Sequence, residues 1–369
     1  PLVFKTESGN SVFYLYSRKH GDLERDYNKF QIQPTYFSQG NGNYRDINQN
    51  RRCDVWFNPA IGDENIIIFS NLIQADGFNP LVVKGTAYHV ESFDKLKKAL
   101  DSRLSHNDFL KLQERLTRSY TPGEILIFIE ETGINLNMQQ DEFLNILISC
   151  SFKEQEAEHG EGFWTDHWAY NLDLIESYLK FYPENMHELI FDKRVFTFFD
   201  NYEVVRPRCE KYILYNGRPR QLQSVCTDPQ KKEMIKSRSF MPHAVRTGYG
   251  KGDIYKTTLF NKLLCLLVNK LASLDPFGVG VEMEANKPNW FDALNGLPAL
   301  FGSSSCETFE LKRLILFLKN SLDKSRLKRL SVTEEIRDFL FSLEGLLSAS
   351  SPGDEDNTSF EYWDKSYSL

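Results

Sequence analysis

Phe260-Asn261-Lys262-Leu263-Leu264-Cys265-Leu266-Leu267-Val268-Asn269-Lys270-Leu271 sets its apolar residues in the step of an α-helix. Phe260, Leu263, Leu264, Leu267 and Leu271 fall at i, i+3, i+4, i+7 spacing and make one continuous stripe. Two later stretches repeat the pattern. Leu311, Leu314, Ile315 and Leu318 form one face, and Ile336, Phe339, Leu340, Leu343 and Leu347 another. Ser331-x-x-Glu334 precedes the last of these and reads as a capping box. Upstream, residues 66–73 are apolar nearly all round, the mark of a buried helix. Residues 93–104, 107–116 and 141–151 read as shorter helices. So does 172–182, with Leu172, Ile175, Leu179 and Tyr182 on one face. The fold class is mainly α.

Two regions break the run. The chain to about Asn58, with its loop Gly40-Asn41-Gly42-Asn43, reads as irregular and extended. Residues 208–227 alternate around Asn216-Gly217-Arg218-Pro219 and predict a β-hairpin. A four-residue loop there sets Cys209 opposite Cys226, with two packed thiols preferred to a disulfide. A helical array interrupted by one hairpin suggests an α-barrel or toroid with a rim insertion. Both ends read as cut. Pro1-Leu2-Val3-Phe4 starts as though already inside a domain, and Glu361-Tyr362-Trp363-Asp364-Lys365 ends as a new element begins.

Composition narrows the function classes. The net charge of −7 is no nucleic-acid footprint, and the basic cluster at 206–220 is outweighed elsewhere. The longest apolar run, 263–268, is far too short to span a bilayer. The N-terminal residues have no signal-peptide pattern. None of the six cysteines forms a C-x-x-C pair, so no structural zinc or other metal site is expected. Their scatter suits free thiols in a reducing cytoplasm. Aromatic residues reach 14%. Such an excess fills a large core, or offers flat faces to pyranose rings.

Four segments carry candidate chemistry. Gly42-Asn43-Tyr44-Arg45-Asp46-Ile47-Asn48-Gln49-Asn50-Arg51-Arg52-Cys53-Asp54 packs guanidinium, carboxylate and amide groups into one loop, either solvated or poised for sugar hydroxyls. In His159-Gly160-Glu161-Gly162-Phe163-Trp164-Thr165-Asp166-His167-Trp168, Asp166 lies between two tryptophans just before a helix. Apolar surroundings keep a carboxyl protonated near neutral pH, as a general acid requires. The same position suits a helix N-cap. Trp290 and Asp292 occupy a turn-rich connection between helices, where Asp292 could equally cap. Residues 246–253 are Gly-rich and basic, able to cradle an anion, but lack Walker spacing.

These segments, in this order, resemble the catalytic barrel of the cellobiose, chitobiose and β-1,3-glucan phosphorylases. Tyr44-Arg45-Asp46-x-Asn48-Gln49 is similar to their sugar-binding loop Y-R-D-x-N-Q. Phe163-Trp164-Thr165-Asp166 lies where that family has its general acid, and Trp290-Phe291-Asp292-Ala293-Leu294-Asn295 resembles W-N-D-G-x-N. Asn50 and Phe291 depart from the cellobiose pattern, and the run from Asn48 to Asp54 sits closer to the β-1,3-glucan branch.

The resemblance implies part of an (α/α)6 barrel of the six-hairpin glycosidase type over residues 1–347, with the hairpin insertion at 203–228. Residues 348–369 are then a flexible loop and the start of a truncated element. It implies inverting phosphorolysis of β-glucosidic bonds, β-1,3 before β-1,4, giving α-glucose 1-phosphate. Asp166 would be the proton donor. Arg45, Asp46, Asn48, Gln49, Asp54, Trp164, Trp290 and Asp292 would hold and shape the sugar site. No cofactor is implied beyond inorganic phosphate as co-substrate. The implied partners are a glucan or oligosaccharide and phosphate, with no nucleic acid and no membrane; a homodimer is the one self-association considered. The rivals are an inverting hydrolase on the same barrel, with Asp46, Asp54, Glu161 or Asp292 as base, and a silent glycan-binding protein.

Overall fold

A computed structural model describes residues 1–7, 9–15, 35–160, 162–221, 224–282, 303–349 and 355–369. Among the described residues there are 15 helices and only small sheets, with about 51% helix, so the mainly-α expectation holds. The chain divides into two compact units. The first comprises Pro1–Ile68 and Val82–Glu158, the second Phe69–Leu81 and His159–Leu369.

In the first unit β1 (Leu2–Thr6) pairs antiparallel with β2 (Gly9–Phe13). Then come β3 (Gly42–Asn43), α1 (Tyr44–Arg51), α2 (Asp54–Phe57) and α3 (Glu64–Asn71), within which the chain passes into the second unit. It returns as β4 (Val82–Val90), followed by α4 (Phe93–Leu100), α5 (His106–Arg115), α6 (Pro122–Thr132), α7 (Gln140–Ser149) and β5 (Ser151–Glu158). The strands order β3-β4-β5 in one antiparallel sheet. Leu96, Leu112, Ile125, Phe143 and Leu147 are wholly buried in the core of this unit. Each such side chain contributes roughly 1.5–3 kcal/mol by leaving water.

Helix α6 is bounded by local chemistry. The Thr121 hydroxyl accepts from the Glu124 amide, and the Glu124 carboxylate accepts from the Thr121 amide. Pro122 takes the first turn, and Gly133, left-handed at φ 63°, ends the helix.

Here the sequence reading needs correction. The segment 42–54 is not an irregular loop, because Asn43 caps α1 by accepting from the Arg45 amide. Residues 82–90 and 151–158 are not part of a helical run. They pair as β4 and β5, and Lys84–Glu158 and His89–Glu154 ion pairs join their charged side chains. Cross-strand pairing overrides the helix-friendly composition of Lys153-Glu154-Gln155-Glu156.

The second unit runs α8 (Ala169–Phe181), β6 (Glu203–Val205), α9 (Arg208–Lys211), β7 (Tyr212–Tyr215), β8 (Arg218–Gln221) and β9 (Val225–Thr227). It continues with α10 (Pro229–Lys236), the single turn α11 (Thr247–Gly250), α12 (Leu259–Ala272), β10 (Val281–Glu282) and β11 (Ser303–Ser304). The last three elements are α13 (Ser305–Ser325), α14 (Glu334–Ser348) and α15 (Glu355–Ser366).

Within this unit the long helices pack against one another. Arg313 of α13 binds Asp173 and Glu176 of α8. Further along, Leu179 and Met186 share a groove of about 480 Å³ with Leu316 and Lys324. The two helices thus lie side by side. Likewise Asn261 at the start of α12 donates to the Ser331 carbonyl, and Val268 lines one cavity with Phe339, so α12 and α14 run parallel. By contrast α13 starts where α12 ends, tied by the Val281 amide to the Thr308 hydroxyl, and runs back along it.

The expected hairpin is present as β7–β8, and Ile213, Leu214 and Tyr215 stand exposed on it. Its turn has two residues, not four. Asn216 and Gly217 take φ 51° and 70°, the left-handed pair a type I′ turn needs. Cys226 therefore faces Val204 across β6–β9, and Cys209 is exposed on α9. All six cysteines are free, and burial pushes the Cys265 thiol up to about 12. The Ser331-x-x-Glu334 box does not form either. Thr333 is the N-cap of α14, and the Ser331 carbonyl is held by Asn261. At the C-terminus, α15 is anchored by Trp363, whose indole nitrogen donates to Glu282 at 3.1 Å. Arg208 binds the same carboxylate and lies over the Trp363 and Tyr367 rings. Among the described residues no helix is long and apolar enough to cross a membrane.

Candidate functional site

Asp166 sits on the connection that leads into α8. Its carbonyl accepts from the Ala169 amide, but Trp168 is the N-cap, without a side-chain bond. The Asp166 carboxylate is thus no helix cap. Its side chain is 32% exposed. His167 Nε2 lies 3.9 Å from Asp166 Oδ1, and its Nδ1 faces the Asn79 amide at 3.5 Å. The His167 ring stacks on Trp164 at 5.2 Å and 18°. Phe163 stacks on Phe78 at 5.0 Å and meets the His159 ring edge-on at 4.6 Å.

These rings are almost wholly covered, with Trp164 at 6% and Trp168 at 2% exposure. They make a stiff, low-dielectric wall beside Asp166 rather than an open stacking platform. Burial also lowers the His159 pKa, keeping that imidazole neutral, and its Nδ1 is buried with no partner. The arrangement suits proton exchange at Asp166 with an oxygen of a bound ligand, since one face of the carboxyl is wet and its surroundings are rigid.

A second carboxyl belongs to this neighbourhood, and sequence reasoning missed it. Glu307, in the first turn of α13, is only 6% exposed, and its Oε2 is buried with no hydrogen-bond partner. Burial, and then the charge of Asp166, push its pKa up to about 8 against the opposing pull of Lys270. The available signal, Ser304-x-x-Glu307 before an apolar stripe, reads as ordinary capping. Indeed the Ser304 hydroxyl accepts from the Glu307 amide.

The Arg45–Asp54 set belongs to the first unit, on α1 and α2. Gln49 is exposed and the Arg45 side chain 25% exposed, whereas Asp46 and Asn48 are buried at 8% and 1%. Arg45 reaches Asp46 at 3.5 Å. Asp54 is engaged inside the protein, since its Oδ2 accepts from Tyr14 at 3.0 Å and from Asn65 at 3.2 Å. The Arg51 guanidinium lies 3.5 Å over the Tyr14 ring, completing that cluster. Trp290 and Asp292, like Glu161, lie outside the described residues.

In the Gly-rich segment 246–253, one of the two basic side chains is engaged by nearby backbone. Arg246 donates to the Phe240 and Gly252 carbonyls, and Gly248, Tyr249 and Gly250 are all left-handed. Among the described residues no three His, Cys, Asp or Glu side chains gather as a metal set. No protein-family model matches the chain, and no curated protein matches it.

Proposed function

We propose that the chain is the catalytic part of an inverting glycoside phosphorylase on an (α/α)6 barrel. It would cleave β-glucosidic bonds of a glucan or oligoglucoside, β-1,3 before β-1,4, in the cytoplasm. The alternation of α12, α13 and α14 supports the barrel, because a ring of helical hairpins sets alternate helices parallel. The observation that carries the chemistry is Asp166, a partly exposed carboxyl on a rigid aromatic wall whose backbone, not its side chain, serves the helix. It stands where the ordered resemblance puts the proton donor.

In this reading Asp166 gives its proton to the leaving glycosidic oxygen. Phosphate attacks the anomeric carbon from the opposite face, and the product is α-glucose 1-phosphate. An inverting hydrolase needs a second carboxylate to activate water across the ring, but phosphate is already an anionic nucleophile.

The test is Asp166→Asn in the full-length protein. The amide keeps shape but delivers no proton, so turnover falls by about 10²–10⁴ with glucan binding retained. A donor with a good leaving group needs little protonation and recovers much of the rate. Near-normal turnover by Asp166→Asn on the natural glucan would overturn the assignment.

A further inference from the structure

We propose that the chain self-associates by seating the exposed face of α14 from one copy in the groove between α8 and α13 of another. The proposal does not depend on the reaction assigned to Asp166.

The groove, of about 480 Å³, has an apolar floor of Leu179, Met186, Leu316 and Phe317. Phe309, 70% exposed, and Leu316, about half exposed, stand seven residues apart on one face of α13. Lys312 and Lys324 border the same groove, and among the described residues neither has an ion-pair partner. Arg313, between them, is already held by Asp173, Glu176 and Glu310. Exposed apolar side chains flanked by unpaired cations suit a partner that brings an apolar side chain and carboxylates.

Helix α14 carries that combination. Its inner face is buried through Ile336 and Leu343. On the outer face Phe341 is 59% exposed. Glu334 and Asp338, seven and three residues before it, and Glu344, three after, share that side of the helix and are exposed. Glu344 has no ion-pair partner among the described residues. Arg337 bridges Glu334 and Asp338, but an exposed pair of this kind gives up its partner at little cost.

The spacings match when the two helices run antiparallel. Lys312 precedes Leu316 by four residues and Lys324 follows it by eight, about 6 and about 12 Å along the axis. Glu344 follows Phe341 by three residues and Glu334 precedes it by seven, about 4.5 and about 10.5 Å. With Phe341 set against Leu316, Glu344 meets Lys312 and Glu334 meets Lys324. An anionic membrane would also satisfy the lysines, but it would leave the acidic face of α14 unaccounted for.

Sedimentation of the full-length protein tests this with a charge swap. One variant carries Lys312→Glu and Lys324→Glu, the other Glu334→Lys and Glu344→Lys. All four positions are exposed, so the fold is kept, which circular dichroism checks. Wild type should associate reversibly, and more weakly as salt rises. Each variant alone sets like charges against each other and should associate at least about tenfold more weakly. Mixed in equal amounts, the two variants should associate with each other, because both contacts then pair opposite charges. A monomeric wild type overturns the proposal. So does association that each variant alone retains, or that the mixture fails to restore. Wild type that stays monomeric but binds phosphatidylserine vesicles through Lys312 and Lys324 assigns the groove to a membrane and likewise overturns it.

Discussion

Gly123 stands in the first turn of α6 beneath the backbone of Tyr36. A Cβ built there would overlap the Tyr36 carbonyl oxygen, which is main chain and cannot swing aside. Helix propensity alone favours alanine over glycine by about 1 kcal/mol. The close approach reverses that sign. Gly123→Ala should destabilise the protein by about 1–3 kcal/mol, typical of overpacking, read as a lower urea midpoint. An unchanged or raised midpoint would mean Tyr36 does not pack there. Contact with a distant backbone leaves no local pattern, which is why Gly123 was not legible in the sequence. Asp166 could be singled out as a candidate, because two flanking tryptophans are a local mark. Glu307 could not be. A glutamate three residues after a serine at a helix start looks like an ordinary capping residue, and its burial follows only from the fold.

Among elements, the long amphipathic helices were readable because their periodicity is strong. The stripe from Phe260 to Leu271 became α12, and 336–347 became α14 within a few residues. The β4–β5 pair was not readable. Its charged residues are satisfied across the sheet by partners such as His89 and Lys84, which no window of local sequence contains. Helix α6 was overlooked although Thr121, Pro122, Glu124 and Gly133 spell out both its ends. The hold on the C-terminal helix was not readable either, because its anchor, Arg208, lies 155 residues away from Trp363. Trp363→Ala should cost about 3–5 kcal/mol, the usual loss for a buried large aromatic residue. It also frees Glu282 of a donor and Arg208 of a ring. Chemical denaturation measures this, and a loss below about 1 kcal/mol would show that α15 is only loosely attached.

At the scale of the whole molecule, two compact units divide the candidate residues. The Asp166 segment and Glu307 lie in one, the Arg45–Asp54 set in the other. The division is invisible to periodicity, since α3 runs through the boundary without a break in its apolar pattern. The central claim is that this chain's acid works with phosphate rather than with activated water. Incubation of the full-length protein with a β-1,3-oligoglucoside, with and without inorganic phosphate, measures this directly, with the products followed by NMR. The account predicts α-glucose 1-phosphate, formed only when phosphate is present. Free glucose released at the same rate without phosphate would contradict it.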